Sequence, residues 1–154
     1  MRTALISLAV VLASLAPAQT GGAPESAAVM AVVNGFVDAF NKGDTRAAAS
    51  VCAAQTSIID EFPPHEWHGA GACAKWMNDY DFDAKKNGIT GGLVTLGKAR
   101  HVDVANGLAY VVVPTDYVYQ MHGKPVKESG STLTVALRKQ AGSWRIAGWS
   151  WSKN

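Results

Sequence analysis

The chain has 154 residues, a length that predicts a single domain. Its 14 basic and 12 acidic side chains give a formal net charge of +2 at pH 7. No basic face marks a nucleic-acid partner. The sequence also contains no Ser/His/Asp triad, no phosphate-cradling glycine loop and no C-x-x-C pair, so no cofactor is predicted.

The first eighteen residues have the order of a secretory signal peptide. Arg2 is basic, an apolar run extends from Ala4 to Leu15, and Ala16-Pro17-Ala18 resembles a cleavage site. The run is too short to span a bilayer, and a buried N-terminal helix is the alternative interpretation. We expect a signal peptide at 1–18, a flexible leader at 19–25, a domain at 26–153, and a secreted or periplasmic protein with no membrane contact after cleavage.

Two cysteines, Cys52 and Cys73, remain in the predicted mature chain. In an oxidising compartment such a pair is one that can form a disulfide, which would close a loop of about twenty residues and stabilise the fold by roughly 3 kcal/mol. Two buried free thiols are the alternative, because cysteine often serves as a small core residue. The sequence leaves both interpretations open.

The first half of the chain is predicted to be mostly helical. One apolar stripe recurs at three- and four-residue spacing and comprises Val29, Val32, Val33, Phe36, Val37 and Phe40. Pro24 suits the first turn of this helix, and Gly43 is its expected left-handed stop. The next predicted elements are a short helix from Thr45 to Ala53 capped by Asp44, a strand from Thr56 to Phe62, and a third helix from Ala72 to Lys86.

The second half of the chain is predicted to form strands joined by tight turns. Tyr, Val, Thr and Trp are dense here, as strands prefer, and Asn106-Gly107 is a strong hairpin signal. The predicted strands are Leu93–Val104, Leu108–Met121, Glu128–Lys139 and Trp144–Lys153. Helices followed by a strand meander indicate an α+β fold, in which a curved antiparallel sheet wraps around the N-terminal helices.

The stretch FVDAFNKGDTRAAASVCAAQTSIIDEF, from Phe36 to Phe62, resembles the opening of the nuclear transport factor 2-like (NTF2-like) superfamily. That superfamily includes ketosteroid isomerases and SnoaL-like polyketide cyclases. The shared features are an apolar helix that ends in Asn41-x-Gly43-Asp44, a short helix, and a strand that ends in acid. The closing WRIAGWSWS is similar to the family's last strand. The resemblance covers nearly the whole mature chain and implies a cone-shaped α+β barrel with an apolar pocket, often in a homodimer.

The stretch IIDEFPPHEWHG crowds three carboxylates and two imidazoles into twelve residues. Neighbouring strand residues point to opposite faces, so only one of Asp60 and Glu61 is expected to enter a given cavity. By the resemblance, the ketosteroid isomerase general base corresponds to Asp60. Apolar walls formed by Ile58 and Phe62 would raise the pKa of Asp60 towards a value useful for proton transfer. A solvated acid at the strand end is the alternative, and Glu61 is expected to be solvated or ion-paired.

The resemblance also reveals a departure at Phe36. Isomerases of the superfamily place at this position a Tyr that donates a hydrogen bond to the oxyanion, and Phe has no donor. One such donor lowers the activation free energy by roughly 3–4 kcal/mol, so steroid isomerisation by the family mechanism is not expected without it. Tyr117, Tyr119, Trp67 or Trp149 would have to supply a substitute.

Two histidines, His65 and His68, follow the double proline Pro63-Pro64, which should stiffen the rim of the pocket. His65 is a candidate catalytic proton relay to Asp60, because the unperturbed imidazole pKa lies near neutrality. An exposed turn histidine is the alternative. A metal site is not predicted, because the i, i+3 spacing suits a helix rather than a loop and no third ligand is evident.

Aromatic side chains should form much of the pocket wall. Trp76 and Tyr80 lie four residues apart on one helical face, and Tyr117 and Tyr119 share a strand face. The predicted ligand-binding residues are these four together with Glu61, Phe36, Phe62, Trp67 and Trp149, although each aromatic residue could instead be core.

The sequence therefore predicts an exported pocket protein of the SnoaL-like type that binds a small apolar molecule, such as a polyketide or a steroid. If the protein is an enzyme, cofactor-free isomerisation, dehydration or ring closure with Asp60 as base fits best. A ligand carrier without turnover and an association or dimerisation module are the alternatives.

Overall fold

A computed structural model describes residues 22–154, which form three helices and seven strands. The predicted signal peptide lies outside this range. The helices are α1 (Ala23–Asn41), α2 (Thr45–Val51) and α3 (Ala72–Lys86). The strands are β1 (Cys52–Ile59), β2 (Glu66–Ala70), β3 (Ile89–Leu96), β4 (His101–Ala105), β5 (Leu108–Met121), β6 (Lys124–Gln140) and β7 (Ser143–Ser152). The predicted α+β class is confirmed, although residues 23–25, expected in the leader, already belong to α1.

The seven strands form one curved sheet in the order β2-β1-β7-β6-β5-β3, with β4 also paired to β5. The sheet is mixed rather than antiparallel, because β1 and β7 run parallel and pair Ile58 with Trp149. It is also unclosed, so the expected barrel is an open, curved sheet. The parallel pair joins two segments that are far apart in the chain, and no local sequence pattern signals such a contact.

The first strand begins and ends earlier than its sequence pattern suggests. Cys52, expected in a helix, already pairs with Ile146 of β7, so tertiary pairing overrides the helix propensity of the alanine-rich segment. β1 ends at Ile59 instead of Phe62. The expected rim loop contains a strand of its own, since β2 folds back antiparallel on β1 and pairs Trp67 with Ile58.

The strand predicted from Leu93 to Val104 is two strands, β3 and β4, separated by four residues. Both pair with β5, and the break lies opposite Pro114. The proline cannot donate a ladder hydrogen bond, but its carbonyl still accepts one from Gly97 N–H at 2.8 Å. The chain therefore leaves the ladder around Pro114 and rejoins it at His101.

Two turn and cap predictions are confirmed by geometry. The Asp44 carboxylate accepts a hydrogen bond of 2.9 Å from Ala47 N–H, as a helix cap should. Asn106 and Gly107 have φ values of 52° and 74°, the left-handed pair that a two-residue hairpin of type I′ requires. These local signals fix where α2 begins and how β4 and β5 are joined.

A disulfide joins Cys52 to Cys73, with the two Cα atoms 6.5 Å apart. It ties the start of β1 to the first turn of α3. Of the two interpretations that the sequence leaves open, the structure has the bridge.

The core fills the space between the helices and one face of the sheet. Val29 and Val33 of α1 are fully buried against a layer that includes Val111 and Ile146. Asn41, the last residue of α1, locks the helix to β3, because its side-chain amide donates to the Val94 carbonyl and accepts from the Val94 N–H, each at 2.8 Å. No helix within residues 22–154 is long and apolar enough to cross a membrane.

Candidate functional site

A cavity of about 300 Å³ opens between α1, α3 and the inner face of the sheet. Most of its wall is apolar or aromatic, with a smaller group of polar side chains. Its aromatic residues are Phe36, Phe40, Phe62, Trp76, Tyr80, Tyr117, Tyr119, Trp149 and Trp151. Its polar and charged residues are Asp60, Glu61, Asp83, Asn87, Glu128 and Lys153. Such a wall is typical of a small-molecule site.

Asp60 lies just after the end of β1 and forms part of the cavity wall. The Trp76 indole N–H donates to its Oδ2 at 2.8 Å, and the Glu61 main-chain N–H donates to its Oδ1 at 2.7 Å. Burial raises the pKa of Asp60 to about 6, although the two hydrogen bonds oppose the rise. The carboxylate is therefore held in a fixed orientation and changes charge close to neutral pH.

Both acids of the Asp60-Glu61 pair line the cavity, so the expectation that only one could enter it is wrong. The alternation of strand faces no longer applies, because β1 has already ended at Ile59. Glu61 is exposed, and its Oε2 lies 3.3 Å from Lys153 Nζ, which is the ion-paired state expected for it.

A pair of phenols forms one polar spot in the wall. The hydroxyls of Tyr80 on α3 and Tyr117 on β5 form a hydrogen bond with each other. Burial raises the pKa of both phenols, so both stay protonated and one of the pair can donate to a ligand oxygen. Gly92 of β3 makes room for them, because a Cβ at that residue would lie 2.7 Å from the Tyr117 hydroxyl oxygen.

Phe36 lies in the cavity wall among aromatic rings. Its ring centroid is 6.0 Å from that of Trp76 and 5.7 Å from that of Trp149. The buried Trp149 indole N–H has no hydrogen-bond partner among residues 22–154. Phe36 therefore lies next to the ring of Trp149, whose indole N–H makes no hydrogen bond within the described part of the chain. The Tyr80–Tyr117 pair supplies a second hydrogen-bond donor.

Two predicted site residues lie outside the cavity wall. Trp67 is buried, packs against Phe62 with ring centroids 5.0 Å apart, and donates to Asp79 Oδ2 at 2.7 Å. His65 is exposed, and its Nδ1 lies 3.3 Å from the Asp60 main-chain carbonyl oxygen rather than at the carboxylate. The cause is β2, whose pairing with β1 turns the segment after the double proline away from the cavity. A relay through His65 therefore has no support in this geometry.

The cavity also contains functional candidates that sequence reasoning missed. The sequence prediction names Glu128 and Lys153 only as strand bounds, yet the Lys153 ammonium donates to Glu128 Oε1 at 2.7 Å at the cavity wall. The Tyr119 hydroxyl donates to the same oxygen at 2.9 Å. A charged residue near the end of an apolar strand is too common a signal to have identified this cluster. Within residues 22–154, no three His, Cys, Asp or Glu side chains come together as metal ligands.

The chain belongs to the SnoaL-like domain family, whose model matches residues 29–153. No curated protein sequence matches the chain. A ketosteroid isomerase-like protein from Erwinia carotovora atroseptica has a similar fold, with a TM-score of 0.68, 19% sequence identity, and coverage of 86% of this chain and 98% of the other.

Two further solved structures share the fold. An NTF2-like protein with a cystatin-like fold from Novosphingobium aromaticivorans superposes with a TM-score of 0.69 at 14% identity, covering 84% of this chain and 82% of the other. A proposed dehydratase of the NTF2-like family from Streptomyces avermitilis superposes with a TM-score of 0.66 at 16% identity, covering 85% and 97% respectively. At these identities the likeness establishes the fold, and the NTF2-like expectation is confirmed at that level.

Proposed function

We propose that the protein binds a small, largely apolar carbonyl compound and transfers a proton with Asp60 as general base, without a cofactor. The observation that carries the proposal is a carboxylate with a pKa of about 6 in the wall of an aromatic cavity. A base with this pKa is mostly ionised at neutral pH and still returns its proton readily, which is the condition for efficient proton shuttling. Isomerisation, dehydration and ring closure all begin with such a step.

A hydrogen-bond donor completes the proposed site. Loss of a proton next to a carbonyl places negative charge on the carbonyl oxygen, and a neutral phenol can stabilise that charge. The Tyr80–Tyr117 pair is protonated and lines the same cavity as Asp60. Burial, with a smaller contribution from the charge of Asp60, raises the pKa of Tyr80 and so keeps this donor protonated. The names of the solved relatives, an isomerase-like protein and a proposed dehydratase, are consistent with such chemistry.

Deuterium incorporation into 2-tetralone in D₂O tests the proposal without knowledge of the natural substrate. This ketone is small, apolar and acidic next to its carbonyl, so a general base in an apolar cavity should accelerate exchange at that carbon. Proton NMR measures the exchange rate with the wild-type protein and with Asp60→Asn. Asp103→Asn is the control, because Asp103 is an exposed acid on β4. We expect Asp60→Asn to remove most of the acceleration, by about 100-fold or more, while Asp103→Asn keeps it.

A carrier that binds its ligand without turnover is the second candidate, and the apolar Phe36 next to Asp60's partner Trp76 favours it. In that case 2-tetralone would bind, measured by calorimetry, but exchange no faster than in buffer. Equal exchange by wild type and Asp60→Asn would refute Asp60 as the base.

Export and self-association belong to the same proposal. The Cys52–Cys73 disulfide supports export, because structural disulfides persist in oxidising compartments. Mass spectrometry of the protein from its own exported fraction should find a mature chain that begins near Gln19. Sedimentation of that material at micromolar concentration tests the homodimer, and a monomer would exclude it.

A further inference from the structure

Glu128 faces the cavity because of an irregularity in β6. Thr115 of β5 pairs with Ser131, but Tyr117 pairs with Glu128, so β6 has one residue more than β5 in this interval. Such a β-bulge re-aims the side chains that follow it. The Asp116 carboxylate holds the bulge by accepting a hydrogen bond from Gly130 N–H at 3.2 Å. Without the extra residue, Tyr117 would pair with Ser129, and Ser129 would face the cavity in place of Glu128.

The Glu128 carboxylate is buried, and only one of its two oxygens accepts hydrogen bonds from the described residues. Its side chain is 9% exposed. Oε1 accepts hydrogen bonds from the Tyr119 hydroxyl and the Lys153 ammonium, whereas Oε2 has no partner among residues 22–154. A carboxylate oxygen that is shielded from water and lacks a donor costs free energy, so native structures seldom keep one without a reason. The polar residue is also placed in a wall that is otherwise mostly apolar.

We propose that Glu128 forms a polar subsite of the cavity and accepts a hydrogen bond from a hydroxyl group of the ligand. This inference rests on the proposed function as a small-molecule pocket and narrows the ligand class. The ligand would be an apolar ring compound with one hydroxyl group, which the Glu128 carboxylate recognises separately from the group that Asp60 acts on.

A neutral donor fits this subsite better than a cation does. Lys153 Nζ already lies 2.7 Å from Glu128 Oε1 and 3.3 Å from Glu61 Oε2, so an ammonium already fills the place at which a cation would bind Glu128. A hydroxyl group donates one hydrogen bond and brings no second charge beside that ammonium.

Binding of two small probes tests the subsite. The probes are 2-naphthol, which carries a hydroxyl, and 2-methylnaphthalene, which carries a methyl group of similar size but no donor. Calorimetry at neutral pH gives the ratio of the 2-methylnaphthalene Kd to the 2-naphthol Kd. In Glu128→Met, which keeps the length of the side chain but lacks the acceptor, we expect this ratio to fall about tenfold from its wild-type value.

Two matched variants locate the effect. Asp60→Asn changes another carboxylate of the wall, and Asp103→Asn changes an exposed acid on β4 away from the cavity, so both should keep the wild-type ratio. If Glu128→Met does not fold, Glu128→Gln retains the shape without the charge and should lower the ratio by about threefold.

If the folded Glu128 variant keeps the wild-type ratio of the two Kd values, the proposed subsite is refuted. The subsite is also refuted if this ratio falls in Asp60→Asn but stays at the wild-type value in the Glu128 variant. Failure of the wild type to bind either probe would refute the proposed pocket function as well. Binding of both probes with no dependence on Glu128 would refute the subsite alone.

Discussion

Replacing Asp60 with Asn should make the folded protein more stable at neutral pH even as it removes the proposed base. The ionised carboxylate is held in the wall of the cavity, where burial disfavours its charge. Asn has nearly the same shape and carries no charge. Active sites commonly contain groups that reduce stability and serve function. An increase in the free energy of unfolding on Asp60→Asn therefore distinguishes a buried acid with a raised pKa from an ordinary surface acid.

The magnitude follows from the pKa of Asp60. A rise from 3.8 to about 6 corresponds to about 3 kcal/mol. Because the folded state holds this proton more tightly than the unfolded chain does, the associated stability is fully present below pH 3.8 and is lost as pH rises through about 6. The two N–H donors, from Trp76 and Glu61, bond to separate oxygens of Asp60, whereas Asn offers one oxygen and loses one bond, at a cost of about 1 kcal/mol.

Asp60→Asn should therefore be about 2 kcal/mol more stable than wild type near pH 8 and no more stable near pH 4. Urea unfolding followed by tryptophan fluorescence at the two pH values gives both free energies of unfolding. Asp103→Asn, at an exposed acid, should change little at either pH. Equal destabilisation of Asp60→Asn at both pH values would refute the buried, charge-disfavoured state of Asp60 and with it the argument for a poised base.

Three further outcomes follow from the same structure. The 2-tetralone exchange rate should rise as pH increases through about 6 and then level off, since only ionised Asp60 accepts a proton, and a flat profile in NMR would contradict this role. Replacing Cys52 and Cys73 with Ala should lower the free energy of unfolding by about 3 kcal/mol in urea, and thiol titration of the denatured, unreduced wild type should find no free thiol. Asn41→Ala should cost about 2 kcal/mol in the same urea assay, because it removes both hydrogen bonds to the Val94 main chain, and a loss below about 0.5 kcal/mol would show that the contact is not structural.

The part of the fold that sequence reasoning predicted well is the part governed by near neighbours. The third helix has the predicted bounds, Ala72 to Lys86, because its apolar spacing and its flanking glycines are local signals. The β5 bounds, Leu108 to Met121, also match, since the Asn106-Gly107 turn marks the start of the strand. One misjudged boundary lies where distant strands meet, because Cys52, predicted in the second helix, pairs with Ile146 of β7.

The residues of the candidate site also fall into those that local sequence predicts and those that depend on tertiary contacts. Asp60 and seven of the nine aromatic residues of the cavity wall could be named from an acid at the end of an apolar strand and from rings at helix or strand spacing, whereas Phe40 and Trp151 are not in the predicted set. Trp67 could not be separated from them, because its direction depends on the pairing of β2 with β1. Glu128 could not be found at all, because a bulge set by Asp116 and Gly130 decides which β6 residue enters the cavity.

The sequence alone determined the features that belong to short segments, together with the α+β class that they imply. These features are the helix periods, the helix caps, the hairpin dipeptides, and the presence of titratable and aromatic side chains. The parallel contact between β1 and β7, the open edge of the sheet, and the burial that raises the pKa of Asp60 depend on contacts between segments far apart in the chain. Their free energies arise only once the whole core has formed and water has left the cavity wall, and only the tertiary structure decides them.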